Sequence, residues 1–120
     1  MKRVLLTAVL FILLGLVSNT SAQPILYGTF SFDMSMQGYT LDKNSGERIY
    51  TTYVKFEPGF DKMPTIIMNV NKLDCSKEDN IRYDVSADAV SRDGFTIKIK
   101  TWGNTKIYGI GGGWIAFGGK

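Results

Sequence analysis

The segment GFTIKIKTW, residues 94–102, alternates strictly between apolar and polar side chains. Phe95, Ile97 and Ile99 fall on one side of an extended chain, and the threonine and lysines between them fall on the other. An alternation with a period of two residues is typical of a strand with one buried face and one solvated face. This segment therefore predicts a half-buried β-strand.

Other short segments rich in β-branched and aromatic residues recur along the chain, separated by Gly, Asp, Asn, Ser and Pro. There is no long helical periodicity and no alternation of strands with helices, which argues against a doubly wound fold. The pattern favours an all-β domain, a six-stranded antiparallel β-sandwich. The segment 34–47 predicts a loop with room for one short strand. The other expected strands lie at 25–32, 47–56, 65–74, 81–91 and 106–117.

The first 22 residues have the composition of a secretory signal peptide. Lys2 and Arg3 precede an apolar run over residues 4–17, and small residues end the segment at Ala22. A membrane anchor is the rival interpretation, but a spanning helix needs about 20 apolar residues and this run is shorter. We therefore expect cleavage after Ala22, no membrane insertion, and a secreted, extracellular domain over residues 23–120.

Charge and cysteine content limit the partners of that domain. Loss of Lys2 and Arg3 lowers the formal net charge from +3 to +1, so nothing favours binding to nucleic acid. Cys75 is the one cysteine and has no partner within the chain. Two interpretations stay open, with the first favoured: a buried or free thiol, or a disulfide between two subunits.

The residues that enzymes use most are scarce. The chain has no histidine, which excludes Ser/His/Asp and Cys/His arrangements and removes the commonest zinc ligand. Asp74, Glu78 and Asp79 cluster, but they share a charged turn with lysines and lack the spacing of a calcium loop. A solvated turn is the better interpretation. We expect no catalysis, no cofactor and no metal.

The glycine-rich end of the chain suggests a phosphate-binding loop, but such a loop lies between a strand and a helix. Here GGGWIAFGG continues as strand, and glycines in a strand permit close approach of another backbone. Trp114 at its centre is expected in the core or in an interface. Trp102 differs, because the alternation that buries Ile99 and Thr101 directs Trp102 outward. It is a candidate binding platform.

Three segments together carry a family resemblance: KFEPGFDKMPTIIMNVNKLD, NIRYDVSADAVSRDGFTIKIKTW, and TWGNTKIY followed by Gly113-Trp114. Over residues 56–117 the chain resembles the H-type lectin domain, found in snail agglutinins and in the C-terminal part of slime-mould discoidins. The resemblance implies a six-stranded sandwich that assembles into a homotrimer, often stacked into a homohexamer. It also implies metal-free sugar sites between neighbouring protomers.

The resemblance assigns sugar-binding roles residue by residue. The family's binding arginine corresponds to Arg82, its stacking tryptophan to Trp102 and its site tyrosine to Tyr108. The apolar face of a galactose-type ring stacks on an indole, and its hydroxyls accept charge-assisted hydrogen bonds from arginine and donate them to a carboxylate. Each residue has a simpler alternative: Arg82 as an exposed strand arginine, Tyr108 as a contact between protomers.

Two positions depart from the family pattern. Gly103 replaces the histidine that follows the tryptophan in the snail agglutinins, so the resemblance does not fix the sugar preference at this position. The family's acidic residue falls in a poorly matched loop, where a gapless alignment gives Ser45. Asp42 is our choice for this role, with Asn44 and Glu47 as nearby substitutes.

The leading hypothesis is a secreted lectin for galactose- or N-acetylgalactosamine-type glycans, multivalent through oligomerisation and suited to agglutination, adhesion or innate recognition of microbes. The alternative is a secreted structural or protein-interaction module of the same fold that has lost sugar binding. A glycosidase is disfavoured, because no carboxylate pair is placed for it.

Overall fold

The computed structural model describes residues 24–118, so the predicted signal peptide, residues 1–22, lies outside the described residues. Turns connect the strands. The sequence allowed a short strand within residues 34–47, but this segment contains turns and no strand. The strands in chain order are β1 (Ile25–Asp33), β2 (Arg48–Lys55), β3 (Thr65–Cys75), β4 (Tyr83–Asp88), β5 (Gly94–Thr101) and β6 (Ile107–Phe117).

The six strands form two three-stranded sheets, in the orders β1-β6-β3 and β2-β5-β4. Every neighbouring pair is antiparallel, which confirms the predicted six-stranded antiparallel β-sandwich. The central strands, β5 and β6, are the two whose apolar side chains are most completely buried. In this part of the chain we find no helix with the length and apolar character needed to cross a membrane.

The core lies between the sheets and is built on the alternation of β5. Phe95, Ile97 and Ile99 are buried, as their spacing predicted. Trp114 of β6 faces them across the sandwich, and its ring meets that of Phe95 edge-on with centroids 5.3 Å apart. Aromatic pairs in this arrangement add about 0.5–1.5 kcal/mol to the stabilisation from burial. Of the two positions expected for Trp114, the structure shows the core.

The glycines of β6 allow close backbone packing, as the sequence indicated. A Cβ at Gly112 would lie 1.9 Å from the carbonyl oxygen of Asn69 on β3, and one at Gly111 would lie 3.0 Å from that of Phe30 on β1. The β3–β6 register shifts between Val70 and Lys72, beside this contact. The glycine cluster is therefore a packing feature of the central strand and not a phosphate-binding loop.

Cys75 ends β3 as a half-buried free thiol packed against the edge of the core. Its burial, and secondarily the charge of Asp74, raises the pKa of the thiol. A raised pKa keeps the thiol protonated at neutral pH, and the thiolate is the reactive form. This agrees with the favoured interpretation of Cys75, and a disulfide between subunits stays the untested alternative.

Candidate functional site

Trp102 lies at the point where β5 ends and the chain turns. Thr101 before it is fully buried, whereas Trp102 is 39% exposed, so the direction predicted from the alternation is confirmed. An indole costs free energy when its apolar surface stays in water, and an exposed one at a strand end is available to bind a ligand. Trp102 is therefore the centre of the candidate site.

A shallow pocket of about 270 Å³ lies beside this indole, lined by Glu47, Lys100 and Trp102. Lys100 precedes Trp102 by two residues, so both side chains leave the same face of β5. Glu47 arrives from another part of the chain, because Arg48 pairs with Thr101 and the antiparallel register then brings Glu47 next to Trp102. The Lys100 ammonium lies 5.6 Å from the centroid of the Trp102 ring, within cation–π range.

Arg82 lies next to the turn that follows Trp102, on the side of β5 opposite Glu47. Its backbone is held in place, because Arg82 N–H donates to Thr105 Oγ1 at 3.0 Å and Thr101 Oγ1 donates to the Arg82 carbonyl at 2.6 Å. Its side chain lies over Gly103, where an added Cβ would be 3.1 Å from Arg82 Nη1. The structure thus brings together three of the five predicted sugar-binding residues: Arg82, Trp102 and Gly103.

The backbone conformation at position 103 favours glycine. The family resemblance gave no reason for a glycine there. Its φ is +68°, a left-handed conformation that side-chain-bearing residues adopt only with strain. A larger residue here would also displace the Arg82 guanidinium, given the 3.1 Å approach. The glycine at this position therefore makes room for Arg82 beside Trp102.

The remaining two predicted residues, Asp42 and Tyr108, do not line this pocket. Asp42 lies in a turn and buries its Oδ1, which has no hydrogen-bond partner within residues 24–118. Tyr108 is half-buried on β6, at the irregularity where the pairing passes from Asp74↔Gly109 to Cys75↔Ile107. Within a single chain, the pocket beside Trp102 takes its carboxylate from Glu47.

Arg48 organises the surroundings of the pocket, a role that the sequence pattern did not assign to it. Its side chain is buried, 6% exposed, on the inward side of β2. One sign of this role is present in the sequence: Arg48 lies an even number of residues from Tyr50 and Val54, so the alternation of β2 places all three side chains on its inward face. Its guanidinium lies within hydrogen-bonding distance of five backbone carbonyls, three of which share the two N–H groups of Nη1: Gly46 at 2.9 Å, Leu41 at 3.3 Å, Lys43 at 2.9 Å, Thr105 at 2.7 Å and Gly103 at 3.0 Å.

These bonds join two loops that flank the pocket, the turn at residues 41–46 and the turn at 103–105. Two further contacts tie the same segments: Gly46 N–H donates to the Gly103 carbonyl at 2.9 Å, and the Lys106 ammonium donates to the carbonyl of Asn44. Glu47 follows one loop and Trp102 precedes the other. Their relative position therefore depends on Arg48.

A larger groove of about 590 Å³ lies where the edge strands β3 and β4 approach each other. It contains none of the predicted sugar-binding residues and offers a single carboxylate, so it lacks the combination of exposed indole and several polar groups found at Trp102. Its lining is formed by Met68, Asn69, Val70, Tyr83, Asp84 and Val85.

The acidic cluster does not form a metal site. Asp74 and Glu78 are exposed and Asp79 is half-buried, in keeping with a largely solvated turn. From residue 24 to residue 118, no group of three His, Cys, Asp or Glu side chains is placed to hold a metal ion.

Comparison with known proteins identifies a family. The model of the H-type lectin domain matches residues 51–117, which include Arg82, Trp102, Gly103 and Tyr108 but neither Asp42 nor Glu47. The product of ATP synthase subunits region ORF 7 of Fuscovulum blasticum is 32% identical over 74 residues, covering 62% of this chain and 64% of that protein. A discoidin-1 chain of Dictyostelium discoideum is 30% identical over 77 residues, covering 63% of this chain and 30% of that protein.

Solved structures extend the likeness of the fold to most of the chain. The native structure of recombinant discoidin II of Dictyostelium discoideum superimposes with a TM-score of 0.70 at 22% identity, covering 81% of this chain and 37% of that one. The structure of wild-type discoidin II gives a TM-score of 0.72, also at 22% identity. The chain spans less than two thirds of the Fuscovulum blasticum relative and under a third of the discoidin-1 chain.

Proposed function

The chain belongs to the H-type lectin domain family, and on that premise we propose that it is a secreted, multivalent lectin for galactose- and N-acetylgalactosamine-type glycans. A lectin domain binds carbohydrate without converting it, so the protein is not an enzyme. The observation that carries the proposal is the exposed indole of Trp102, with Glu47 lining the same pocket and the Arg82 side chain against the next residue, Gly103.

The chemistry of these groups suits one sugar ring. The apolar face of a galactose-type ring stacks on the Trp102 indole, while Arg82 donates to ring hydroxyls and Glu47 accepts from them. At about 270 Å³ the pocket is smaller than those that enclose drug-sized ligands. A single site of this kind binds weakly, and several sites on one oligomer raise the avidity. Agglutination, adhesion and recognition of microbes are the uses that such avidity supports.

Replacing Trp102 with alanine is expected to weaken glycan binding at least about tenfold, because the stacked face and its buried area are lost together. The binding of the secreted protein to a glycan array, followed by titration calorimetry with the best galactoside, measures the effect. Tyr53→Ala is the matched control: Tyr53 is also an exposed aromatic, at 59%, but it pairs with Thr96 on β5, away from the turn after Thr101. Equal binding by the wild type and Trp102→Ala would place the site elsewhere.

Oligomerisation is a separate part of the proposal, and sedimentation of the secreted protein tests it. We expect a species with the mass of three or six chains that keeps this mass in reductant, because the Cys75 thiol is half-buried and protonated. A monomer contradicts the multivalent assembly. A mass that falls on reduction shows instead that Cys75 joins protomers.

A second candidate function is an interaction module of the same fold without sugar binding. It is favoured by Asp42 and Tyr108, neither of which lines the pocket beside Trp102 within one chain. If the folded wild type binds no glycan on the array, the lectin proposal is wrong and this candidate takes its place.

A further inference from the structure

Two cationic side chains around Trp102 take part in no ion pair with any of the described residues. Lys100 and Arg82 approach the tryptophan and the turn that follows it, while Glu47 lines the pocket and Asp84 stands opposite Lys100 in the sheet. A neutral sugar needs hydrogen-bonding groups but no unpaired cation. The two unpaired cations indicate a ligand that carries a negative charge.

Lys100 forms no ion pair with the acidic neighbours that the structure describes. In the register of the sheet it stands opposite Asp84 on β4 and Ile49 on β2, yet no ion pair forms with Asp84. Its ammonium lies over the Trp102 ring instead, 5.6 Å from the centroid. Within residues 24–118 the ion pair present, Lys55 with Glu57, lies at the far end of β2.

Arg82 is held by its backbone and leaves its side chain available. Thr101 and Thr105 bond its carbonyl and its N–H, whereas its guanidinium donates no hydrogen bond to any of the described residues. The absence of a Cβ at Gly103 provides the space that this guanidinium occupies. A planar guanidinium with free donors is the group that binds carboxylate or sulfate through two parallel hydrogen bonds.

The order of the strands also places Glu47 and Arg82 on opposite sides of Trp102. β5 is central, β2 lies on one side and β4 on the other. Glu47 immediately precedes β2 and Arg82 immediately precedes β4, so they approach Trp102 from opposite sides. A ring stacked on the indole therefore has an acceptor for its hydroxyls at one edge and a cation at the other.

Resting on the lectin function proposed above, we infer that the Trp102 site selects glycans whose sugar carries an anionic substituent, a carboxylate or a sulfate ester. The anion lies against Arg82 and Lys100, the apolar ring face lies on Trp102, and the hydroxyls at the opposite edge bond Glu47. The ligand class of the site thereby extends beyond neutral galactose-type sugars.

Titration calorimetry of the secreted protein with three matched ligands tests the inference: a neutral galactoside, the same galactoside bearing a sulfate ester, and the corresponding galacturonoside. We expect at least one anionic ligand to bind about fivefold or more tightly than the neutral one, and this ratio to fall as salt is raised. The sulfate and carboxylate arms show which anion the site takes.

Two variants test whether Lys100 and Arg82 cause the preference for an anionic sugar. In Lys100→Gln and in Arg82→Gln the ratio of anionic to neutral affinity is expected to fall towards one. Lys98→Gln is the matched control, because Lys98 leaves the same face of β5 two residues earlier and does not line the pocket. Lys98→Gln is expected to keep the wild-type ratio.

Equal affinity of the wild type for neutral and anionic ligands, or a ratio that persists in both glutamine variants, overturns the inference. If binding to the neutral galactoside is lost in Trp102→Ala while no anionic preference exists, the lectin function stands and only the inference falls. If no ligand binds, both the lectin function and the inference are wrong.

Discussion

Alanine in place of Gly112 is expected to lower the melting temperature of the protein by about 12 °C or more, through a loss of about 3 kcal/mol of folding free energy. The added methyl group would lie 1.9 Å from the carbonyl oxygen of Asn69 and 2.8 Å from its carbonyl carbon. Both are backbone atoms, so no rotation of a side chain relieves the overlap.

The position of Gly112 makes this overlap costly. β6 is the central strand of its sheet, and Gly112 pairs with Phe30 on β1 and with Val70 on β3 at once. To make room for a Cβ, β3 must move away from β6, which breaks ladder hydrogen bonds and opens the core beneath Trp114.

The neighbouring glycine supplies the control. A Cβ at Gly113 would have its nearest neighbour, the Gly28 carbonyl oxygen, at 3.4 Å, an ordinary contact. Gly113→Ala is therefore expected to change the free energy of unfolding by less than about 1 kcal/mol. Thermal unfolding followed by circular dichroism compares the two variants. Equal melting temperatures for Gly112→Ala and Gly113→Ala would show that β3 and β6 do not approach as described.

Methionine in place of Arg48 is expected to cost about 3–5 kcal/mol of folding free energy. Methionine occupies a similar space and removes all five donors. The carbonyls of Lys43 and Thr105, the latter on a buried residue, then lose the guanidinium that they accept from. An unpaired buried carbonyl costs about 1–3 kcal/mol, and the two loops also lose the group that joins them.

Denaturant unfolding measures this effect, and Arg92→Met is the control, since Arg92 is exposed in the turn before β5. The control is expected to change the free energy of unfolding by less than about 0.5 kcal/mol. Because Arg48 also fixes Glu47 relative to Trp102, we expect Arg48→Met to weaken glycan binding at temperatures where the variant is still folded. A loss of stability below about 1 kcal/mol contradicts the structural role of the Arg48 hydrogen bonds.

The fold was largely predictable because its main signal is local. In an extended chain successive side chains point to opposite faces, so the spacing of Phe95, Ile97 and Ile99 alone predicts the buried face of β5. The same count directs Trp102 outward, and the glycines of β6 indicate close packing. These properties depend on backbone geometry over a few residues, and the structure confirms them.

The site was predictable only in part, because its residues meet through strand pairing. Arg82, Trp102 and Gly103 were identified through a family pattern. Glu47 was only a substitute for Asp42 in the acidic role, and Lys100 and the buried Arg48 were assigned no role. Glu47 lies beside Trp102 solely because Arg48 pairs with Thr101, a contact between residues more than fifty positions apart. A shift of that register by one residue would move every side chain of β2 to the opposite face without changing the alternation. The amino-acid order thus specifies which face of each strand is apolar, but the register and the loop contacts, which arise from packing across the whole domain, decide which carboxylate and which cations surround the indole.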